Sequence, residues 1–205
     1  NTFMHTIRSI YHRKERIKLR SVILTGVSNI SGILQKNASP FNISDQLNVP
    51  YFTKEETKDL LEQHEKETSQ TFEDRVKELI WQNTAGQPGL VNALARDLVE
   101  KKVPDGETIT KSAFDKSLND FMKTYIDKNI ANIINKAKRE EELIRKIVFE
   151  PNTVEFNIYD ERIKYLYVNG VIDNCGEVCC VRVPLYYKAL YEYLKPRVNG
   201  ERKHM

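Results

Sequence analysis

One apolar run near the start of the chain, SVILTGVSNI at Ser21–Ile30, has the composition of a buried strand with a polar carboxyl end. Almost nothing near it can serve as a partner strand. Parallel strands are buried on both faces and joined by crossovers of a dozen or more residues, so such a strand needs a sheet on the scale of a domain. Upstream, Phe3, Ile7, Ile10 and Tyr11 recur at helical spacing and predict an amphipathic helix over about 2–18. Downstream, SPFNI at Ser39–Ile43 offers one further short strand. These pieces cannot close a sheet by themselves. The first residue is not methionine and the chain opens as though inside a helix, so the expectation is that residues 1–50 end a core whose other strands lie in preceding sequence.

From Tyr51 onward the apolar residues take up helical spacing with clear punctuation. Thr53-Lys54-Glu55-Glu56 is a capping box, in which a hydroxyl and a carboxylate satisfy N–H groups left free at a helix start. Leu60, Leu61 and His64 follow on one face; His64 has no second histidine or cysteine at metal-ligand spacing and reads as a packed side chain. Thr71-Phe72-Glu73-Asp74 starts a second helix carrying Val76, Leu79 and Ile80, and Gly86 is placed to stop it in the left-handed conformation. Pro88 opens a third, where its missing N–H is no loss, with a stripe of Leu90, Val91, Leu94, Ala95 and Leu98. After the turn at Pro104–Glu107, Thr110 caps a long helical region whose stripe runs through Phe114, Phe121, Tyr125, Ile130, Ile133, Ala137 and Ile144. The tail changes pattern. EEELIRKIVFE and YDERIKYLYVNG read as two helices, the second closed by Gly170, and VIDNCGEVCCVRV reads as a hairpin turning at Asn174 and Gly176. Helix, helix, hairpin is the order of a winged helix, with LYYKALYEYL packing back as a closing helix.

Charge and cysteine content narrow the partners. The net charge of +3 is uneven: residues 1–20 hold six Lys or Arg against Glu15, so that segment is +5 and the remainder −2. A basic arm for nucleic acid is one reading, and the solvated face of the amphipathic helix is the preferred one. Cys175, Cys179 and Cys180 are the three cysteines. They form no framework of a secreted domain, so reduced thiols are expected, and adjacent Cys179 and Cys180 point to opposite faces of a strand, which disfavours a metal site. With no apolar run near the roughly 20 residues needed to span a bilayer and no signal-peptide pattern, a cytoplasmic address and no membrane partner are expected.

Taken in order, SVILTGVSNI, SPFNI, VPYFTKEETKDLL, TAGQPGLVNALARDL and the winged-helix-like tail resemble the C-terminal half of AAA-like P-loop ATPases of bacteria and archaea, near the AAA+ and STAND classes. The resemblance covers most of the chain. It implies a mainly α fold with few strands: residues 1–50 as the remnant of a P-loop α/β core with the sensor 1 strand at 21–27, residues 51–110 as a helical lid, and residues 111–205 as a connecting helix and winged-helix domain. It implies ATP and magnesium as ligands of the full-length protein, which would act as a nucleotide-dependent switch or motor. Its partners would be its own N-terminal ATPase half or neighbouring subunits.

The same resemblance nominates site residues. Thr25, Ser28 or Asn29, at the polar end of the strand, would face the γ-phosphate and help place the attacking water, a position that calls for a rigidly held hydroxyl or amide. A purely structural reading, in which they end a strand and cap a turn, accounts for them as well. Gly86-Gln87-Pro88 is similar to the GxP motif of STAND-type lids, whose proline lies against the adenine. A helix stop followed by a helix start explains the same three residues. Where a sensor 2 arginine is expected in AAA+ lids the chain has Gly89, and the first arginine is Arg96.

What is absent bounds the chemistry. The chain contains no GxxxxGK[ST] phosphate loop and no apolar strand ending in paired acids for magnesium, so alone it is expected neither to hydrolyse ATP nor to bind it tightly. No metal-ligand set is suggested. The rival reading is a winged helix that binds DNA through Arg162 and Lys164, or a partner protein, with the other helices as scaffold. Residues 139–198 hold nine Lys or Arg and ten Asp or Glu, a net of −1, which disfavours DNA. Tyr165, Tyr167, Tyr186, Tyr187, Tyr191 and Tyr193 could serve a protein interface where they are not core.

Overall fold

The computed structural model describes residues 51–103, 106–123 and 127–201, without the side chains of 196–201, and before Tyr51 only Thr6, Ser9, Ile10, Arg13, Ser21, Ile23, Leu47, Val49 and Pro50. Thr6, Ser9 and Ile10 are helical, and the Arg13 N–H donates to the Ile10 carbonyl at 3.0 Å. At Ser21 and Ile23 the backbone is not in a strand, and Ile23 is 86% exposed where a buried strand was expected. The rest of 21–27 and all of 39–43 lie outside the described residues.

From Tyr51 the chain is mainly helical. Helices α1 (Lys54–Thr68), α2 (Asp74–Thr84) and α3 (Pro88–Asp97) follow in turn, the last running into a π-helical segment at Leu98–Lys102. Then come α4 (Lys111–Lys123), α5 (Lys128–Ala137), a 3-10 turn at Lys138–Glu140, α6 (Glu141–Phe149) and α7 (Glu161–Val168). Strands β1 (Asp173–Asn174) and β2 (Cys179–Cys180) form an antiparallel hairpin, and α8 (Pro184–Glu201) closes the order. Among the described residues no helix is long and apolar enough to cross a membrane.

The helix ends show which local signals governed. At α1 the capping box forms in full: the Glu56 N–H donates to the Thr53 hydroxyl at 3.1 Å and the Thr53 N–H to the Glu56 carboxylate at 2.8 Å. At α2 the helix begins at Asp74, inside the expected start at Thr71–Asp74, but Glu73 makes no side-chain cap there; its carboxylate accepts the Lys111 N–H at 2.8 Å and so serves the first turn of α4. The long helical region expected after Thr110 is broken. Asp127 caps α5 by accepting the Asn129 N–H at 2.8 Å, and Glu140, at φ −124° and ψ 46°, leaves helical geometry before α6.

One cluster of buried side chains runs from Leu61 in α1 to Leu194 in α8 and crosses residue 110 without a gap. Leu90, Leu94, Leu98, Leu166, Leu185 and Leu190 are fully enclosed in it, each worth about 1.5–3 kcal/mol of transfer free energy. The Ile109 N–H donates to the Thr71 carbonyl at 2.8 Å and the Glu73 N–H to the Ile109 carbonyl at 3.1 Å, tying the start of α2 to the segment before α4. Helix α8 packs on α2, α5 and α6, and its Lys188 donates to the Asn83 carboxamide oxygen of α2 at 2.9 Å.

The hairpin corrects one expectation. Cys175 and Cys180 form a disulfide, with Cα atoms 5.9 Å apart, where reduced thiols were expected. The register explains the pairing: Asp173 faces Cys180 and Asn174 faces Cys179, so alternation puts Cys175 and Cys180 on one face, diagonally across the turn. Cys179 points to the other face, is buried, and donates its thiol to the Glu155 carbonyl at 3.6 Å. A third segment joins the hairpin edge, through the Cys179 N–H to Val154 and the Phe156 N–H to Glu177.

Candidate functional site

The segment between α2 and α3 is built from the inside outward. Thr84 is buried at the end of α2; its hydroxyl donates to the Ile80 carbonyl at 2.8 Å and accepts the Gly86 N–H at 3.3 Å. The left-handed stop spans two residues, Ala85 at φ 48° and Gly86 at φ 73°. The Gln87 side-chain oxygen accepts the Leu90 N–H and caps α3, leaving Pro88 at the first turn with its ring half-buried. This is the stop-and-start geometry that the residues themselves announce.

Two neighbours grip this segment. The Phe52 N–H donates to the Gly86 carbonyl at 2.9 Å, and a Cβ on Gly86 would stand 1.8 Å from the Phe52 carbonyl oxygen. At Gly89 a Cβ would stand 2.7 Å from Oδ1 of Asn129, at the start of α5. Glycine at position 89 thus has a physical cause: the start of α5 occupies the space a side chain would need. Neither Phe52 nor Asn129 was recognisable from the sequence, because Asn129 lies 40 residues from its contact.

Trp81, the single tryptophan, precedes the segment by one turn of α2, and its indole N–H is buried without a partner. Tyr51, next to Phe52, lies under the Arg182 guanidinium, 5.9 Å from the ring centroid, and Arg182 pairs with Asp173 of β1 at 3.4 Å. Burial raises the Tyr51 phenol pKa, the Asp173 charge raises it further, and Arg182 opposes them. Tyr186 of α8 is raised by burial, with smaller contributions from Tyr51 and Asp127. The chain entering α1 therefore lies against Arg182 and the hairpin, whereas Gly89 is reached by α5.

Of the residues nominated from sequence, Gly86, Gln87 and Pro88 stand together as described, while Thr25, Ser28 and Asn29 lie outside the described residues. Pro88 stands half-buried in the first turn of α3. Among the described residues no group of three or more His, Cys, Asp or Glu side chains is placed to hold a metal ion. His64 lines a groove of about 350 Å³ between α1 and α3, bonded to Gln70 at 3.1 Å and edge-on to Phe72.

The residues of the rival reading are differently placed. Arg162 donates through Nε at 3.3 Å and Nη2 at 2.9 Å to the Asp160 carboxylate, which also caps α7 by accepting the Arg162 N–H at 2.8 Å. This guanidinium and the backbone N–H groups hold the Asp160 pKa down to about 2. Arg162 is charge-compensated by its own helix cap, and Lys164 is half-buried on the same helix.

Over residues 1–192 the chain matches the family described as the AAA-like domain. No curated protein and no solved structure matches it significantly. The family match spans the N-terminal segment, the gripped glycine–proline turn and the tail as one unit, and the chain belongs to the AAA-like domain family.

Proposed function

We propose that the chain is the C-terminal part of an ATP-binding AAA-like ATPase that works as a nucleotide-dependent switch or motor and is not hydrolytic by itself. The observation that carries this reading is the family match over residues 1–192, in a chain whose sequence lacks a phosphate loop. Helices α1 to α3, within residues 51–110, serve as the lid. Helices α6 and α7, the hairpin and α8 serve as a winged helix.

In this reading Pro88 presents a rigid apolar face to the adenine, and its fixed φ keeps the entrance of α3 in place without an N–H to satisfy. Gln87, committed to the Leu90 N–H, caps that first turn. Thr25, Ser28 and Asn29 supply the hydroxyl or amide donors at the γ-phosphate, and the phosphate cradle and magnesium ligands come from sequence outside this chain. ATP contributes the charged phosphoryl group whose presence or loss biases the lid. The tail faces its own ATPase core or a neighbouring subunit in a cytoplasmic protein, and the Asp160–Arg162 pair weighs against a DNA groove as its target.

Photolabelling of the complete protein with 8-azido-ATP tests the adenine contact. Label in the peptide that carries Gly86–Pro88 supports it. Label that is competed by ATP but found only elsewhere overturns it.

A further inference from the structure

We propose that Asn129 is a positioning residue that couples the Gly86–Gly89 segment to the tail helices. Its use as a nucleotide relay rests on the function proposed above; the contact itself does not. The Asn129 carboxamide is fixed rather than free: its backbone N–H and its Nδ2 both donate to Oδ1 of Asp127, at 2.8 and 2.9 Å. Two bonds to one carboxylate leave Oδ1 of Asn129 turned toward Gly89, where an added Cβ would lie 2.7 Å away. Three residues earlier Gly86 is closed against Phe52 and bonded to it at 2.9 Å, so the segment is held at a second point.

What lies behind Asn129 carries the motion onward. Helix α5 buries Ile130, Ile133 and Ala137 in the core and packs on α8. Helix α8 in turn reaches α2 through Lys188 and Asn83, and α6 through its own packing. A ligand that displaces Pro88 and Gly89 therefore pushes α5 through a short, rigid contact, and close-packed interiors transmit such a push rather than absorb it.

A double-mutant cycle of Gly89→Ala and Asn129→Ala on this chain reads the contact by hydrogen exchange at residues 127–137. The expected result is that Gly89→Ala speeds exchange there by about fivefold, and that the same change adds nothing once Asn129 is alanine. Effects that simply multiply overturn the contact. Should Gly89→Ala fail to fold, Asn129→Gln pushes the same contact from the other partner and is read at residues 86–90, where unchanged exchange is the overturning result. In the complete protein, MgATP is expected to alter exchange at 127–137 in the wild type, and Asn129→Ala to abolish that response while nucleotide affinity stays within about twofold. A response retained in Asn129→Ala, or absent from a wild type that binds MgATP, overturns the relay. A wild type that binds no nucleotide defeats the nucleotide reading, and the cycle still decides the contact.

Discussion

At the scale of single residues, the glycines separate backbone cost from packing cost. Gly86 and Gly176 both have positive φ, at 73° and 69°, but only Gly86 has a neighbour where a Cβ would stand; at Gly176 there is nothing within 4 Å. Gly176→Ala is expected to destabilise by about 1 kcal/mol, the cost of left-handed backbone alone. Gly86→Ala is expected to lose clearly more, about 3 kcal/mol or above, because Phe52 must move as well. Urea unfolding of the two variants checks the order, and equal losses would refute the clash. Asp160 gives a pH signature. Its folded pKa lies below its ordinary value, so the stabilisation it brings is complete above that ordinary value and disappears as pH falls toward about 2. Arg162→Ala is expected to raise the Asp160 pKa, measured by carboxyl-carbon NMR titration, and to move the acid loss of stability to higher pH. An unshifted titration would remove the pairing. The glycine–proline turn was legible because its conformational demands are local; the reason for Gly89 was not, since a contact 40 residues away leaves no local pattern.

Among the elements, legibility followed the range of the interaction. The box at Thr53 was readable because both its bonds span three residues. The break at Asp127 was missed because apolar residues recur at helical spacing on each side of it, although Phe121 and Ile130 are separated by about two and a half turns and would face opposite sides of one continuous helix. Glu73 stands at the start of α2 yet satisfies an N–H of α4, and only the fold shows which helix such an acid serves. The hairpin turn could be read from Asn174 and Gly176, but the cysteine pairing depends on which residues face each other across it. Alkylation of the unreduced, denatured chain followed by mass measurement is expected to tag one thiol, Cys179, against three after reduction. Three tags without reductant would contradict the bridge. The bridge closes a loop of only a few residues, so Cys175→Ser is expected to cost about 2 kcal/mol, seen as a lower unfolding midpoint.

For the whole molecule, the shared core across residue 110 and the bond from Lys188 to Asn83 join α1–α3 to the helices that follow. Residues 51–194 are expected to unfold in one transition, with far-ultraviolet circular dichroism and Trp81 fluorescence coincident; two separated transitions would mean that the helices before and after residue 110 are independent. No sequence pattern reveals a bond between residues 105 positions apart, so the joining of the helices before residue 110 to those after it was the least legible feature of the chain. The ATPase reading concerns the complete protein, and equilibrium binding of labelled ATP with magnesium to it is the most direct trial. Saturable binding that ADP competes, weakened about fivefold or more by Pro88→Ala, is the predicted result. A complete protein that binds no adenine nucleotide, or binds it equally well with alanine at position 88, would contradict the account.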